Sequence, residues 1–254
     1  MNNIFDTHSH YTDDAYNNDK DSLLTEIFDK EVSYIIECAT DYDSSVKALK
    51  LSEKFDHLYV ALGIHGLDAE HAYKTDFEKI KPLFENKKVV AVGEIGLDYH
   101  YEKESRNIQL ECFKSHLSLA NELNLPVIVH DREAHQDTFN LIKEYNSRGI
   151  IHCYSGSIEM AKEYIKLGLY IGIGGAVTFK NAKTIKEVAK IIPIENIVLE
   201  TDCPYMTPEP YRGKRNRSDY IKFVAQKIAD IKNMEAQEVI NICTENAKSL
   251  FNIK

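Results

Sequence analysis

The sequence has no tryptophan, and only 11 glycines and 6 prolines among 254 residues. So little Gly and Pro argues against a disordered or linker-rich chain. No apolar run approaches the ~20 residues of a membrane span. The start, Met1-Asn2-Asn3-Ile4-Phe5-Asp6, has neither a basic n-region nor an apolar h-region, so a secretion signal is not expected. The five cysteines, Cys38, Cys112, Cys153, Cys203 and Cys243, are odd in number and form no CxxC pair. That argues against a disulfide framework or thiolate zinc site and makes a cytoplasmic location the expectation. An excess of positive charge is missing too: 31 Lys and Arg stand against 40 Asp and Glu, a net charge of −9. A histone-like or coat-type nucleic-acid binder needs an overall basic surface. An enzyme acting on nucleic acid needs only a local one.

What remains is ordinary globular usage, 43% hydrophobic and 28% charged, in a chain long enough to bury most of its unfolded surface. No linker or charge block divides it, so residues 1–254 read as one domain. Short apolar runs recur at Ile4–His8, Val32–Cys38, Leu58–Leu62, Val89–Ile95, Val127–His130, Ile150–Cys153, Leu169–Ile173 and Ile197–Thr201. They are rich in Val and Ile and bounded by polar residues or glycine, as buried strands are. Helical patterns such as Leu110-Phe113-Leu117-Ala120 and Ile221-Val224-Ile228 lie between them. Gly149 and Gly168 sit where a helix should hand over to a strand. Eight units of roughly 31 residues match the size of a βαβ repeat. The expected fold is α/β, a (β/α)8 TIM barrel, with an additional C-terminal helix over Glu235–Phe251.

The chemistry begins at Asp6-Thr7-His8-Ser9-His10. Alternation along a strand puts His8 and His10 on one face, where two imidazoles can grip one divalent metal. Other apolar runs also end in such groups: Glu94 in the fourth, His130 in the fifth, His152 in the sixth and Asp202 in the eighth. Alternation would also align Val90, Val92 and Glu94, Ile128 and His130, and Val198, Glu200 and Asp202. In a parallel barrel those ends meet at one mouth, where the active sites of the fold lie. A single buried histidine is more often a hydrogen-bonded core residue than a ligand. Four histidines and two acids on one rim are harder to explain that way, because an ionised acid at an apolar strand end is costly without a cation or partner. Six ligands exceed the needs of one four-coordinate metal. They suit two divalent cations bridged by Glu94, an arrangement that serves hydrolysis of phosphodiesters. Four imidazoles favour Zn²⁺, Mn²⁺ or Fe²⁺ over Mg²⁺.

Nearly the whole chain, in order, resembles the TatD family of metal-dependent deoxyribonucleases among the amidohydrolase-like barrels. The matching stretches are DTHSH (Asp6–His10), GIH (Gly63–His65), VAVGEIGLDYH (Val90–His100), LPVIVHDREA (Leu125–Ala134), IIHCYSGS (Ile150–Ser157), TFKNA (Thr178–Ala182), LETDCPYMTPEPYRGKRN (Leu199–Asn216) and TENAKSLF (Thr244–Phe251). The resemblance implies a barrel that cleaves DNA, often as a 3′-to-5′ exonuclease, with Mg²⁺ or Mn²⁺ supporting activity. It implies one metal on His8, His10, Glu94 and Asp202 and a second on Glu94, His130 and His152, with Glu94 and Asp202 catalytic and Asp202 the proton acceptor. Three positions depart from the usual pattern. Gly66 replaces a proline after His65, Arg217-Ser218 replace an acidic residue and proline, and Asp131 replaces a serine after His130. None is a proposed ligand.

Arg212, Lys214, Arg215 and Arg217 crowd the loop after the eighth strand, and Arg212, Lys214 and Arg215 read as phosphate contacts. A solvated charged loop is the plainer alternative. Arg132 and His65 are further candidates for substrate contact. Lys180 and Asn181 could line the same mouth, with a helix cap the other reading of Asn181. Asp98 could orient a ligand histidine, while Cys153 and Cys203 should point to the opposite strand face and pack. Gly172, Gly174 and Gly175 form no phosphate-binding fingerprint and suggest close approach of substrate or backbone. The expected substrate partner is DNA, with RNA or tRNA as alternatives, and neither a membrane nor an obligatory protein partner is inferred. An ester or amide hydrolase, such as a deacylase of aminoacyl-tRNA, would use the same metals and basic rim. A non-catalytic metal scaffold is the third reading, disfavoured by the full ligand set.

Overall fold

Eight strands form one parallel sheet in sequence order: β1 (Ile4–Ser9), β2 (Val32–Cys38), β3 (Leu58–Leu62), β4 (Val89–Asp98), β5 (Val127–Arg132), β6 (Gly149–Ile151), β7 (Tyr170–Ile173) and β8 (Ile197–Leu199). The computed structural model describes residues 1–100 and 105–254. Backbone bonds from His10 N–H to the Cys203 carbonyl (2.9 Å) and from Asp202 N–H to the His8 carbonyl (3.0 Å) join β1 to the segment after β8, nearly closing the barrel. The helices are α1 (Lys20–Phe28), α2 (Tyr42–Ser52), α3 (Ala69–Ile80), α4 (Arg106–Leu123), α5 (His135–Tyr145), α6 (Ile158–Lys166), α7 (Lys183–Ile191), α8 (Ile221–Lys232) and α9 (Ala236–Phe251). This is the (β/α)8 barrel with the additional C-terminal helix that the sequence predicts. None of the described helices is long and apolar enough to cross a membrane.

Strand alternation sorts the core into two layers. Val127, Val129, Ile151, Ile197 and Leu199 pack in the large cluster that includes the surrounding helices. Ile36, Cys38, Ala61, Ile128, Ile150 and Val198 form a smaller inner cluster with Phe5. Ala247, Leu250 and Phe251 at the end of α9, and Ile253 beyond it, join that inner cluster. The final helix therefore plugs the bottom of the barrel, and functional side chains are left the opposite end.

Asparagines, more than glycines, end the helices. Asn124, Asn146, Asn233 and Asn252 follow α4, α5, α8 and α9 in the left-handed region (φ 52°, 49°, 56° and 55°). Asn tolerates that conformation better than other residues with a Cβ. Three details differ from the sequence expectation. β6 and β8 stop early, so His152 and Asp202 lie just past the strands, not within them. Along β4, Val90 and Ala91 both join the inner cluster and Val92 the outer one, so Val90, Val92 and Glu94 do not share a face. Register shifts beside Ala91 and between Val92 and Ile95 break the alternation.

Candidate metal centre

Glu94 is the hub of the barrel mouth. Its Oε2 lies 3.2 Å from His8 Nε2 and 3.4 Å from His10 Nε2. Its Oε1 lies 3.0 Å from His130 Nδ1, 2.8 Å from His152 Nε2 and 3.6 Å from His65 Nε2. Asp202 Oδ1 approaches His8 Nε2 and His10 Nε2 at 3.7 and 3.5 Å. All six sequence-predicted ligands thus meet at one place, although they come from five barrel segments. Three overlapping sets, His8–His10–Glu94, His8–His152–Asp202 and His65–Glu94–His130, each hold their ligand atoms within 4.8 Å of one another.

The groups behind the rings determine which nitrogen faces inward. His10 Nδ1–H donates to the Cys38 carbonyl at 2.9 Å, and His130 Nε2–H donates to Asp98 Oδ2 at 3.1 Å. Each ring then turns its other nitrogen toward Glu94, the nitrogen that would bind a metal once it gives up its proton. His8 Nε2 faces His10 Nε2 at 2.9 Å, and His130 Nδ1 faces His152 Nε2 at 3.3 Å. Convergent imidazole nitrogens around two carboxylates suit divalent cations.

His65 differs. Its Nδ1 accepts from the Leu67 backbone N–H at 3.1 Å. In the neutral ring the proton is therefore on Nε2, which faces Glu94 as a donor and not as a ligand. Burial, with the nearby His130 charge, pulls its pKa down to about 3, so the ring is neutral. This geometry matches the substrate contact expected of His65 better than a metal ligand.

Charge coupling is strong throughout. Burial opposes ionisation of Glu94, but the His152 and His8 imidazoles outweigh it and hold the carboxyl well below its usual range. Burial works against Asp202 too, and the hydrogen bond from His10 reverses it. His130 is pushed up to about 9, because Asp98 and Glu94 more than offset its burial. Glu200, fully buried, is pushed up to about 7 by that burial. Its carboxylate accepts from Cys153 N–H, and Oε1 stands 3.9 Å behind His152 Nδ1. Gly172 makes room for it: a Cβ there would lie 2.5 Å from Glu200 Oε2. Gly175 likewise admits the Met206 carbonyl, so the glycine run serves close packing.

The cluster forms the floor of a cavity of about 670 Å³. Among the described residues, Lys47 and Arg132 are the lysine and arginine on its wall. The post-β8 basic loop stands apart from this cavity: Arg212, Lys214 and Arg215 do not line it. Arg212 stacks 4.1 Å above the Phe179 ring, and Lys214 Nζ lies 5.5 Å from that of Tyr211. Arg215 binds the Asp19 carboxylate at 2.8 and 2.5 Å and the Ala15 carbonyl at 2.7 Å. Lys180 and Asn181 do not line the cavity either. Cys203 is buried as expected, but Cys153 turns into the cavity wall, its backbone at φ 43° having left the strand alternation. Sequence reasoning missed Lys47, Tyr205 and Met206 on the wall. The last two lie inside the quoted LETDCPYM stretch; Lys47 carries no motif signal.

An eight-stranded parallel barrel with this histidine–carboxylate cluster at its C-terminal mouth defines a metal-dependent hydrolase. The comparisons are specific. The family model described as TatD related DNase matches residues 5–252. The chain is 43% identical over 253 residues to an uncharacterized metal-dependent hydrolase, YabD, of Bacillus subtilis (strain 168), covering 98% of this chain and 99% of that one. YcfH of Escherichia coli (strain K12), also an uncharacterized metal-dependent hydrolase, is 33% identical over 256 residues, covering 98% and 96%. Among solved structures, the TatD homologue YJJV from E. coli K12 superposes with a TM-score of 0.92 at 30% identity, covering 99% and 98%. The protein belongs to the TatD family.

Proposed function

We propose that this hydrolase cleaves phosphodiester bonds of nucleic acid, as a 3′-to-5′ exodeoxyribonuclease, with two divalent cations per chain. The observation that carries the reading is Glu94: one carboxylate oxygen faces His8 and His10, the other His130 and His152. A bridging carboxylate is what a two-cation phosphodiesterase requires. The name of the family model supports a DNA substrate. Apolar packing of the inner layer and α9 beneath the cluster makes the cavity blind, which suits the end of a chain.

His8, His10, Glu94 and Asp202 would hold one cation, and Glu94, His130 and His152 the other. Bound there, Mg²⁺ or Mn²⁺, with Zn²⁺ as an alternative, supply Lewis acidity and a more acidic water. Asp202 Oδ1 takes the proton of the attacking water; its low pKa keeps it ionised at neutral pH. His65 Nε2–H donates to a phosphoryl oxygen, its orientation held by Leu67 N–H. Arg132, on the wall beside the cluster, meets a phosphate by charge. The test is to strip the protein with chelator, restore Mg²⁺, Mn²⁺ or Zn²⁺ singly, and follow single-stranded DNA beside aminoacyl-tRNA. Metal-dependent release of mononucleotides from the 3′ end is expected. Deacylation of the tRNA with no cleavage of DNA would overturn the reading in favour of an acyl hydrolase.

A further inference from the structure

Among the described residues, few large apolar side chains are exposed: Met1, Leu123, Ile191 and Tyr205. Of these, only Tyr205 lines the cavity above the metal centre. On the wall of that cavity the residue stays 56% exposed, so most of its surface remains in water. It is also held still. Its hydroxyl donates to Asp13 Oδ2 at 3.0 Å. Its N–H donates to the Asp202 carbonyl at 2.9 Å, and its own carbonyl accepts from the fully buried Asn216 side chain at 2.7 Å. Three anchors, one on the hydroxyl and two on the backbone, fix the residue three positions from Asp202, with more than half of its surface left exposed. The half-buried Met206 beside it extends the apolar surface.

Lys47, in the second turn of α2, is on the wall of the same cavity. Its side chain is exposed, and no ion pair or hydrogen bond engages its ammonium among the described residues. Asp41 and Ser44 form a capping box that fixes the start of that helix. An unpaired cation and a rigid aromatic face on one cavity match the two recurring parts of a nucleotide: an anionic backbone and a flat base.

We propose that Tyr205 is the platform on which a nucleobase next to the scissile phosphate stacks, and that Lys47 receives a flanking phosphate of the same strand. This rests on the phosphodiester reading above and adds the subsite that holds the base. Stacking on a ring pays no regard to base identity, so the subsite is sequence-tolerant, and a base paired in a duplex cannot reach it.

The experiment is steady-state cleavage by the Mn²⁺-loaded protein of a labelled ten-nucleotide DNA strand and of a twin with abasic nucleotides at its 3′ end. On the normal strand, Tyr205→Ala should raise KM roughly ten- to a hundredfold, with a smaller change in kcat. On the abasic twin, wild type and Tyr205→Ala should have the same KM. Tyr205→Phe, which keeps the ring, should stay within about threefold of wild type on both. Tyr205→Leu, of similar bulk but without a π face, should behave as Tyr205→Ala. Lys47→Ala should raise KM on both strands and flatten its salt dependence. An unchanged KM in Tyr205→Ala, or equal losses on normal and abasic strands, would overturn the platform while leaving the proposed reaction standing. Failure of the wild-type protein to cleave either strand would overturn the phosphodiester reading, and the subsite with it.

Discussion

Asp98 Oδ2 lies 3.1 Å from His130 Nε2, on the far side of the imidazole from Glu94. The carboxylate fixes the tautomer that turns Nδ1 inward and makes that nitrogen a better donor. Asp98→Asn keeps the shape and loses the charge. It should weaken metal binding roughly 10- to 100-fold, measured by competition with a chelating dye. Activity should recover at high metal concentration, which a folding defect would not permit.

Asp202 has a different assignment. Asp202→Asn should lower kcat by roughly 10²–10⁴-fold, as loss of a general base does, with little change in KM for a DNA strand. Wild-type turnover would remove Asp202 from the proton transfer.

Arg215 is bound to Asp19 and lies 4.6 Å over the Tyr16 ring, away from the cavity. Arg215→Ala should therefore cost about 1 kcal/mol or less of stability in urea denaturation, the size of an exposed ion pair with a cation–π contact. KM for a DNA strand should not move. A rise in KM with unaltered stability would return Arg215 to substrate binding.

The layout of the barrel was legible because strands such as Leu58–Leu62 are continuous apolar runs, and burial on both faces demands such runs. The cluster of candidate ligands was legible for the same reason: a charged or imidazole group at the end of an apolar run is out of place without a partner. Partners far apart in sequence were not legible. Arg215 finds Asp19 across 196 positions, and composition alone could not tell that pairing from a phosphate clamp. The inward nitrogen of His65 depends on a backbone N–H at Leu67, which no side-chain motif records. Lys47 sits in an amphipathic helix whose lysines look alike until the cavity picks one.

His116 supplies a pH dependence remote from the ligands. It is fully buried, donates from Nδ1 to the Cys112 carbonyl at 2.8 Å and accepts the Ile64 N–H on Nε2 at 3.2 Å. Burial lowers its pKa to about 4 from 6.5. The unfolded chain then binds the proton that the folded one refuses, so stability falls as the pH drops below 6.5 and levels off near 4. His116 alone should cost about 2 kcal/mol between pH 7 and pH 5. Urea denaturation of His116→Gln beside wild type isolates that share: the variant's stability should depend less on pH. Parallel pH profiles would show that His116 takes up its proton as readily in the folded chain as in the unfolded one.

The central claim is that Glu94 joins two cation sites, and titration calorimetry of chelator-stripped protein with Mn²⁺ tests it most directly. The wild-type protein should take up two equivalents per chain, and Glu94→Ala should lose tight binding at both sites together with nearly all cleavage of DNA. Two tight equivalents and wild-type cleavage in Glu94→Ala would contradict it.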